Sequence, residues 1–353
     1  MQVFPVFLPH HGCPHRCCFC DQRRTTQRFS APAPPRIESS LADMIPEDGQ
    51  GEGEIAFYGG TFTLLPLAEQ EALLNLALGY VDRGLVSGIR VSTRPDALEA
   101  HQVEFLTSHA VTTVEIGAQS FDDRVLKAAG RGHDASCTLD AVERLRKSGV
   151  KVGLQLMPGL PGGSFDEALF SLLTAFEARP DFLRIYPTVV FPGTELESLW
   201  RRGLYRPWSL NEAVDICADM LKECRRHSMP VIRLGLQQVA SLEHGGVAAG
   251  PHHPAFGQLV RSRLWLRALM RLLSPLKNKV QPFRVRVAKA DPGDILGHRR
   301  TNIEKLRSLV PGLVFETSSD LRREHLTVAD QVFYLDSLLQ QNPKEERHES
   351  ICG

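Results

Sequence analysis

Val3-Phe4-Pro5-Val6-Phe7-Leu8-Pro9-His10-His11-Gly12-Cys13-Pro14-His15-Arg16-Cys17-Cys18-Phe19-Cys20 joins a short apolar run directly to a cysteine-rich loop. Six residues of strand character running into such a loop place a reactive segment at a strand end. In α/β barrels that is where the chemistry sits. The spacing is C-x3-C-x2-C, through Cys13, Cys17 and Cys20. Three thiolates on one tight loop can hold three corners of a four-iron, four-sulfur cube. With no fourth cysteine following in register, one iron stays open to a ligand. Zinc is the other reading of the spacing, because His10, His11 and His15 lie close by. Cys18, next to Cys17, cannot easily reach a second corner and reads as a spectator.

An open iron can be chelated by the amino and carboxylate groups of S-adenosylmethionine (SAM). One electron, from a donor such as flavodoxin or ferredoxin, then yields a 5′-deoxyadenosyl radical, with the protein supplying binding and shielding. Phe19 is placed either to pack on the cluster or adenine, or to anchor the loop.

Outward from this loop, short apolar runs alternate with helix-period segments. Strands are expected at Val3–Leu8, Ile55–Tyr58, Ile89–Thr93, Thr113–Gly117, Val152–Met157 and Phe182–Tyr186, with Val231–Leu234 as a further one. Helices are expected at Leu67–Tyr80, Ala135–Ser148, Asp166–Ala178 and Asn211–His227. Such alternation predicts parallel strands with helices packed outside, a partial (β/α)6 barrel. Candidate site residues follow the strands. Gly59 and Gly60, with Thr61, give a turn that backbone groups and a SAM ammonium can approach closely. Arg94 has a fork suited to a carboxylate or phosphate. Gln119 and Ser120 are placed to bond ribose hydroxyls or order the cluster side. Met157, Pro158 and Gly159 open a stiff loop suited to cover an adenine. Arg131 is either a second anion-binding residue or a surface residue at a loop–helix join. Each motif is also ordinary turn chemistry taken singly; their placement on one rim is the stronger signal.

Phe57-Tyr58-Gly59-Gly60-Thr61-Phe62, Thr93-Arg94-Pro95-Asp96, Val114-Glu115-Ile116-Gly117-Ala118-Gln119-Ser120, Gly130-Arg131-Gly132-His133, Met157-Pro158-Gly159-Leu160-Pro161 and Arg184-Ile185-Tyr186-Pro187-Thr188 together resemble the radical SAM superfamily. More narrowly, they resemble the radical SAM core of the Elongator catalytic subunit and its shorter bacterial relatives, over roughly residues 5–235. The resemblance implies a [4Fe-4S] cluster held by Cys13, Cys17 and Cys20, SAM, and modification of the wobble uridine of tRNA. Three departures stand out. The loop has the simple superfamily spacing, without the family's longer insertion between the first two cysteines. Ser92 occupies the position where the family has Glu. The hundred residues after the barrel carry no acetyl-CoA signature, so a carboxymethyl product from acetyl-CoA is not expected.

The chain has 353 residues with ordinary globular composition, enough for one large domain and a smaller one. It contains no run of eighteen apolar residues, so no membrane span is expected. The first residues lack the basic segment and cleavage site of a signal peptide. Four of the eight cysteines fall in the first twenty residues, which does not suit a disulfide framework. A reducing, cytoplasmic location follows. Expected domains are 1–240, 241–340, and a polar tail at 341–353.

Net charge is zero, yet residues 257–310 hold 13 Lys and Arg against 3 Asp and Glu. Such an excess attracts polyanions; its alternatives are a solvated face or arginines paired with acids elsewhere. His252 and His253 lie in a Gly/Pro-rich join that reads best as a structural loop. Ala255–Ser274 reads as a basic helix with Leu259, Leu266, Leu269 and Leu273 apolar. Then Phe283–Val287, the segment Asp294–Leu306, Leu313–Glu316 and His325–Val328 give a β-α-α-β-β order. It is similar to a KH RNA-binding module, which clamps a nucleic-acid backbone at a Gly-x-x-Gly loop. Gly297 is the first glycine; Arg300 replaces the second, and Arg299 and Arg300 keep positive charge there. These three are the candidate RNA-binding residues, against an appendage that only plugs the barrel.

The leading expectation is a radical SAM enzyme acting on RNA, most simply tRNA. The alternatives are a radical SAM enzyme for a small, porphyrin-type metabolite, and a non-catalytic zinc-stabilised RNA-binding protein.

Overall fold

Strands β1 (Val3–Leu8), β2 (Glu54–Gly59), β3 (Gly88–Thr93), β4 (Val111–Gln119), β5 (Lys151–Leu156), β6 (Phe182–Ile185) and β7 (Val231–Leu234) pair in chain order. All six pairings are parallel. These are the features of a computed structural model that describes residues 2–14, 16–22, 32–48, 51–236, 246–329 and 331–340. The sheet is the curled parallel half-barrel expected, extended by β7. Helices α1 (Pro34–Met44), α2 (Leu67–Asp82), α3 (Ala100–Ser108), α4 (Asp123–Ala128), α5 (Ala135–Lys147), α6 (Phe165–Ala178), α7 (Glu195–Arg201) and α8 (Leu210–Arg226) fill the connections.

The sheet has two unlike faces, because strand side chains alternate. Ile55, Phe57, Ile89, Val91, Val114, Ile116, Val152, Leu154, Leu183 and Ile185 form an apolar set, each at most 1% exposed. The opposite face carries charge, described below. Local signals start the helices. Asp134 accepts from the Cys137 amide at 2.9 Å at the start of α5, and Ser164 accepts from the Glu167 amide at 3.1 Å at the start of α6. Such caps satisfy amides that have no partner inside the helix.

The chain divides into two compact units, residues 1–213 with 229–254, and residues 214–228 with 255–353. In the second, α9 (Phe256–Leu273) buries Val260, Leu264, Trp265, Leu269 and Leu273. Leu259 is only half-buried; Val260 takes the inward position instead. Strands β8 (Phe283–Ala288), β9 (Leu313–Ser318), β10 (His325–Val328) and β11 (Gln331–Tyr334) form a sheet of order β11-β10-β8-β9. Only β8 and β9 are parallel. Parallel neighbours need a crossover, here α10 (Pro292–Leu296) and α11 (Thr301–Leu309), and α12 (Leu335–Gln340) follows β11. The expected β-α-α-β-β order is present, with one more strand and a helix. The tail expected at 341–353 lies outside the described residues.

Candidate active site at the strand ends

The loop after β1 is fixed by the packing of two of its residues. Cys18 and Phe19 are buried in an apolar cluster with Val125, Ala129, Leu160, Val190, Leu196 and Tyr205. The Cys18 amide donates to the Ala129 carbonyl at 3.1 Å, and the Cys18 carbonyl accepts from the Leu196 amide at 2.8 Å. Burial, then Glu195, pushes the Cys18 thiol up to about 12. Phe19 therefore sits as a loop anchor, with Cys17, Cys20 and Met157 at the edge of its cluster.

Glycine is required where the β2 turn meets this loop. The Thr61 amide donates to the His11 carbonyl at 2.8 Å. A Cβ on Gly60 would lie 1.8 Å from that same carbonyl oxygen, and one on Gly12 would lie 2.3 Å from the Thr61 carbonyl. The glycines let two backbones touch, so the turn positions the cysteine loop. Thr61, fully buried, brings its hydroxyl to 3.4 Å from the Cys13 sulfur.

The thiols share one electrostatic environment. Burial first, then Cys17 and Cys13, push Cys20 up to about 12. Among the described residues, no three His, Cys, Asp or Glu side chains are disposed to hold a single metal ion; His15 lies outside the described residues.

Arg131 reaches the loop from the segment after α4. It is 5% exposed. Its guanidinium donates to the Cys17 sulfur at 3.1 Å, to the Gly117 carbonyl at 2.5 Å and to His133 Nε2 at 3.2 Å. Burial, then the Arg131 charge, lowers His133 to about 4, so the neutral ring accepts this bond. No carboxylate lies within ion-pair distance of Arg131 among the described residues. A buried cation needs a counter-charge, and the group that faces it is the Cys17 sulfur.

Arg94 is engaged elsewhere. It makes a bidentate pair with Asp96 at 2.9 and 2.7 Å and donates to the Arg131 carbonyl. Burial pushes Asp96 up, but the Arg94 bonds and charge outweigh it and hold the carboxyl below its usual range. Arg94 thus fixes the backbone that carries Arg131. Ser120 turns towards α6, donating to Glu167 at 2.6 Å. Gln119 sits beside a register irregularity of β4 at φ 71°, and its amide oxygen accepts from Gln155 at 3.1 Å. The Met157 amide donates to the Gln119 carbonyl, the Pro158 carbonyl accepts from the Thr188 amide, and the Gly159 carbonyl accepts from the buried Tyr205 hydroxyl at 2.7 Å. Gly159 lies at φ 88° against the Trp208 ring. His252 and His253 are half-buried in the join.

The polar sheet face went unread in the sequence. Arg90 on β3 pairs with Glu54 on β2 at 2.5 Å and Glu115 on β4 at 2.6 Å. Arg184 on β6 pairs with Glu115 at 3.0 Å and donates to the Tyr58 hydroxyl at 2.8 Å and the Tyr186 hydroxyl at 3.2 Å. Tyr58, directly before Gly59, donates back to Glu115 at 3.1 Å. Thr113 and Thr112 donate to Glu54 at 2.6 and 2.8 Å. Two carboxylates and two guanidiniums balance across four strands, and the network ends under the glycine turn. A charged residue inside an otherwise apolar strand, at the period-2 position of its face, was the available signal at Arg90, Glu115 and Arg184.

Fold and site together define an α/β half-barrel enzyme with its reactive loop at the carboxyl ends of the strands. The profile of the Radical SAM superfamily matches residues 7–173, and that of the Radical_SAM C-terminal domain matches residues 180–265. The chain belongs to the radical SAM superfamily, whose cofactors are a [4Fe-4S] cluster and SAM. It is similar to a tRNA uridine(34) acetyltransferase of Dehalococcoides mccartyi, 28% identical over 59% of this chain and 53% of that protein. It is also similar to Elongator complex protein 3 of Bos taurus, 25% identical over 82% of this chain and 62% of that protein. The fold matches the solved archaeal Methanocaldococcus infernus Elp3 with a TM-score of 0.59 and 22% identity, over 74% of this chain and 62% of that one. The chain spans from a quarter to about two thirds of the length of the curated relatives it matches.

Proposed function

We propose that this radical SAM enzyme modifies RNA, with tRNA as the substrate, and that Cys13, Cys17 and Cys20 hold its cluster. The observation that carries the ligand set is Arg131, a buried cation that meets a thiol where a carboxylate would be expected. Three thiols, a facing hydroxyl from Thr61 and an unneutralised guanidinium suit a group that brings negative charge through its thiolates. When bound, the cluster supplies one electron to the SAM sulfonium and so generates a 5′-deoxyadenosyl radical.

The residues of this chain have separate tasks in that reading. Cys18 and Phe19 anchor the loop, and Gly59 and Gly60 let it seat on the sheet. Arg131 holds Cys17 in place and is itself held by Arg94 and Asp96. Gln119 and the loop Met157-Pro158-Gly159 line the rim on the SAM side.

The substrate rests on the likeness to proteins named tRNA uridine(34) acetyltransferase and Elongator complex protein 3. A cytoplasmic location and a flavodoxin- or ferredoxin-type donor belong with this reading. No helix among the described residues is long and apolar enough to cross a membrane.

Nucleoside mass spectrometry of tRNA from parent and deletion strains tests the substrate. The expected result is a modified nucleoside missing from the deletion strain, restored by the wild-type gene and not by Cys17→Ala. Identical nucleoside profiles would overturn the tRNA assignment. Iron and sulfide content after anaerobic reconstitution tests the ligand set independently.

A further inference from the structure

The second unit carries a groove that the reaction site does not use. Its floor is apolar, formed by Val287 of β8, Ile295 of α10, Ile303 of α11 and Phe315 of β9, and Arg300 and Arg307 stand at its edge. Its volume is about 190 Å³. Pockets for whole small molecules run to roughly 300–1,000 Å³, so this one is sized for a single planar group. Strand β9 is an edge strand, which leaves the groove open along one side.

Ion pairs account for part of the charge of this unit. Arg261 pairs with Asp294, Arg263 with Asp215, and Arg267 with both Asp215 and Asp219. Arg284 and Arg286 face Glu316 and Asp320. Five of the thirteen Lys and Arg residues in 257–310 are thus paired with acids within the unit. Like Lys277, Lys279 and Lys289 elsewhere in the unit, the clustered residues Arg299, Arg300, Lys305 and Arg307 are exposed and have no ion-pair partner among the described residues. These four lie on the turn between α10 and α11 or on α11 itself.

The turn is built to present them. Gly297 has φ 76°, and a Cβ there would strike the side chain of Asn302 at 2.7 Å. Asn302 is buried and donates to the Ser262 carbonyl at 2.9 Å, tying the turn to α9. Arg299 and Arg300 follow at φ 50° and 64°. Two adjacent non-glycine residues in the left-handed region are strained, and strain of this kind concentrates at functional sites. A turn with only a structural task would be served better by glycine at both positions.

We infer that this groove binds single-stranded RNA: an unstacked base enters the apolar floor, and Arg300 and Arg307 meet the flanking phosphates. Cations beside an apolar slot are the pairing that single strands require, because their bases need a face to stack on and their backbone needs neutralising. The inference rests on RNA being the substrate class.

Fluorescence anisotropy of a labelled single-stranded oligoribonucleotide, read on the full chain across a salt series, tests it. Arg300→Glu with Arg307→Glu should weaken binding at least about tenfold. The slope of log affinity against log salt should flatten by about 1.4, at about 0.7 per phosphate contact. Phe315→Ala should weaken binding several-fold and leave the slope unchanged, a split that general misfolding would not produce. Unchanged affinity in the charge-reversed chain overturns the inference, as does tighter binding of duplex RNA or equal competition by polyglutamate. The two readings fail differently. Loss of binding in the charge-reversed chain with unaltered tRNA nucleosides in the deletion strain keeps the groove and removes the tRNA substrate. A missing nucleoside with unchanged binding removes the groove alone.

Discussion

Two groups of arginines divide the molecule. In the barrel, Arg90, Arg184 and Arg94 are matched to Glu54, Glu115 and Asp96, and Arg131 is left buried against a cysteine. In the second unit, Arg261, Arg263, Arg267 and Arg225 are matched to acids, and Arg299, Arg300 and Arg307 are left exposed on one turn and its helix. Both units thus pair some of their cations with acids and leave others without an acid partner among the described residues. What differs is solvent. A buried unpaired cation is tolerable only beside a fixed negative group, which suits a resident cofactor. Exposed unpaired cations cost little alone and attract a mobile polyanion. Substitutions that exchange these conditions break the comparison.

The largest effect belongs to the cysteines. Cys13→Ala, Cys17→Ala or Cys20→Ala should abolish iron incorporation on anaerobic reconstitution, whereas Cys18→Ala should retain it and lose only packing. Iron and sulfide analysis with visible absorbance separates the two classes. Iron binding that survives Cys17→Ala but not Cys18→Ala would reverse the assignment.

Next comes Arg131. Arg131→Met keeps the volume and removes both charge and donors. Partners of ligating groups typically contribute 10–100-fold to metal affinity or activity, so iron retention should fall by about that factor. The remaining cluster should reduce at a more negative potential, because a positive charge and an N–H···S bond favour the reduced form. An electron paramagnetic resonance redox titration reads this directly, and Arg131→Lys should shift less. An unchanged potential would make Arg131 only a packing residue.

Glu54 tests the matched arginines. Glu54→Gln leaves Arg90 one acid short in a buried site, at a cost of about 3–5 kcal/mol. Burial pushes Glu54 up, but bonds from Thr113 and the charge of Arg90 outweigh it and hold the carboxyl low. A depressed carboxyl stabilises the fold above its unfolded value of about 4.3, and that contribution is lost as pH falls through the folded value. The difference between variant and wild type should therefore be full at pH 7 and shrink below about pH 4. Urea melts at three pH values check the sign.

How much of this was legible in the sequence follows from what each feature depends on. The seven strands were readable because an apolar run ending in Gly or Pro is a local signal; Val3–Leu8 and Val231–Leu234 match to the residue. The loop cysteines were readable for the same reason. The Glu54–Arg90–Glu115–Arg184 chain was not, since it exists only once four strands are in register. Nor could composition separate Arg263, held by Asp215, from Arg300, which has no acid partner among the described residues: only tertiary contact divides them. Arg94 was read as a ligand fork, and the structure turns it to Asp96, two residues along its own chain.

The smallest effect is the sharpest test of the exposed group. Arg300 has φ 64°, where a side chain costs roughly 1 kcal/mol relative to glycine. Arg300→Gly should therefore raise stability by about that amount while weakening oligoribonucleotide binding, because one phosphate contact is lost. Opposite signs in the two measurements are what a functional turn under strain demands. Packing alone makes a different forecast, in which stability rises and binding stays constant. The same substitution also restores the second glycine of a Gly-x-x-Gly turn. If backbone clamping rather than the guanidinium carried the affinity, Arg300→Gly would tighten binding while Arg307→Glu still weakened it. Thermal melts and anisotropy on this one variant thus decide whether the charge or the backbone of the turn faces the nucleic acid.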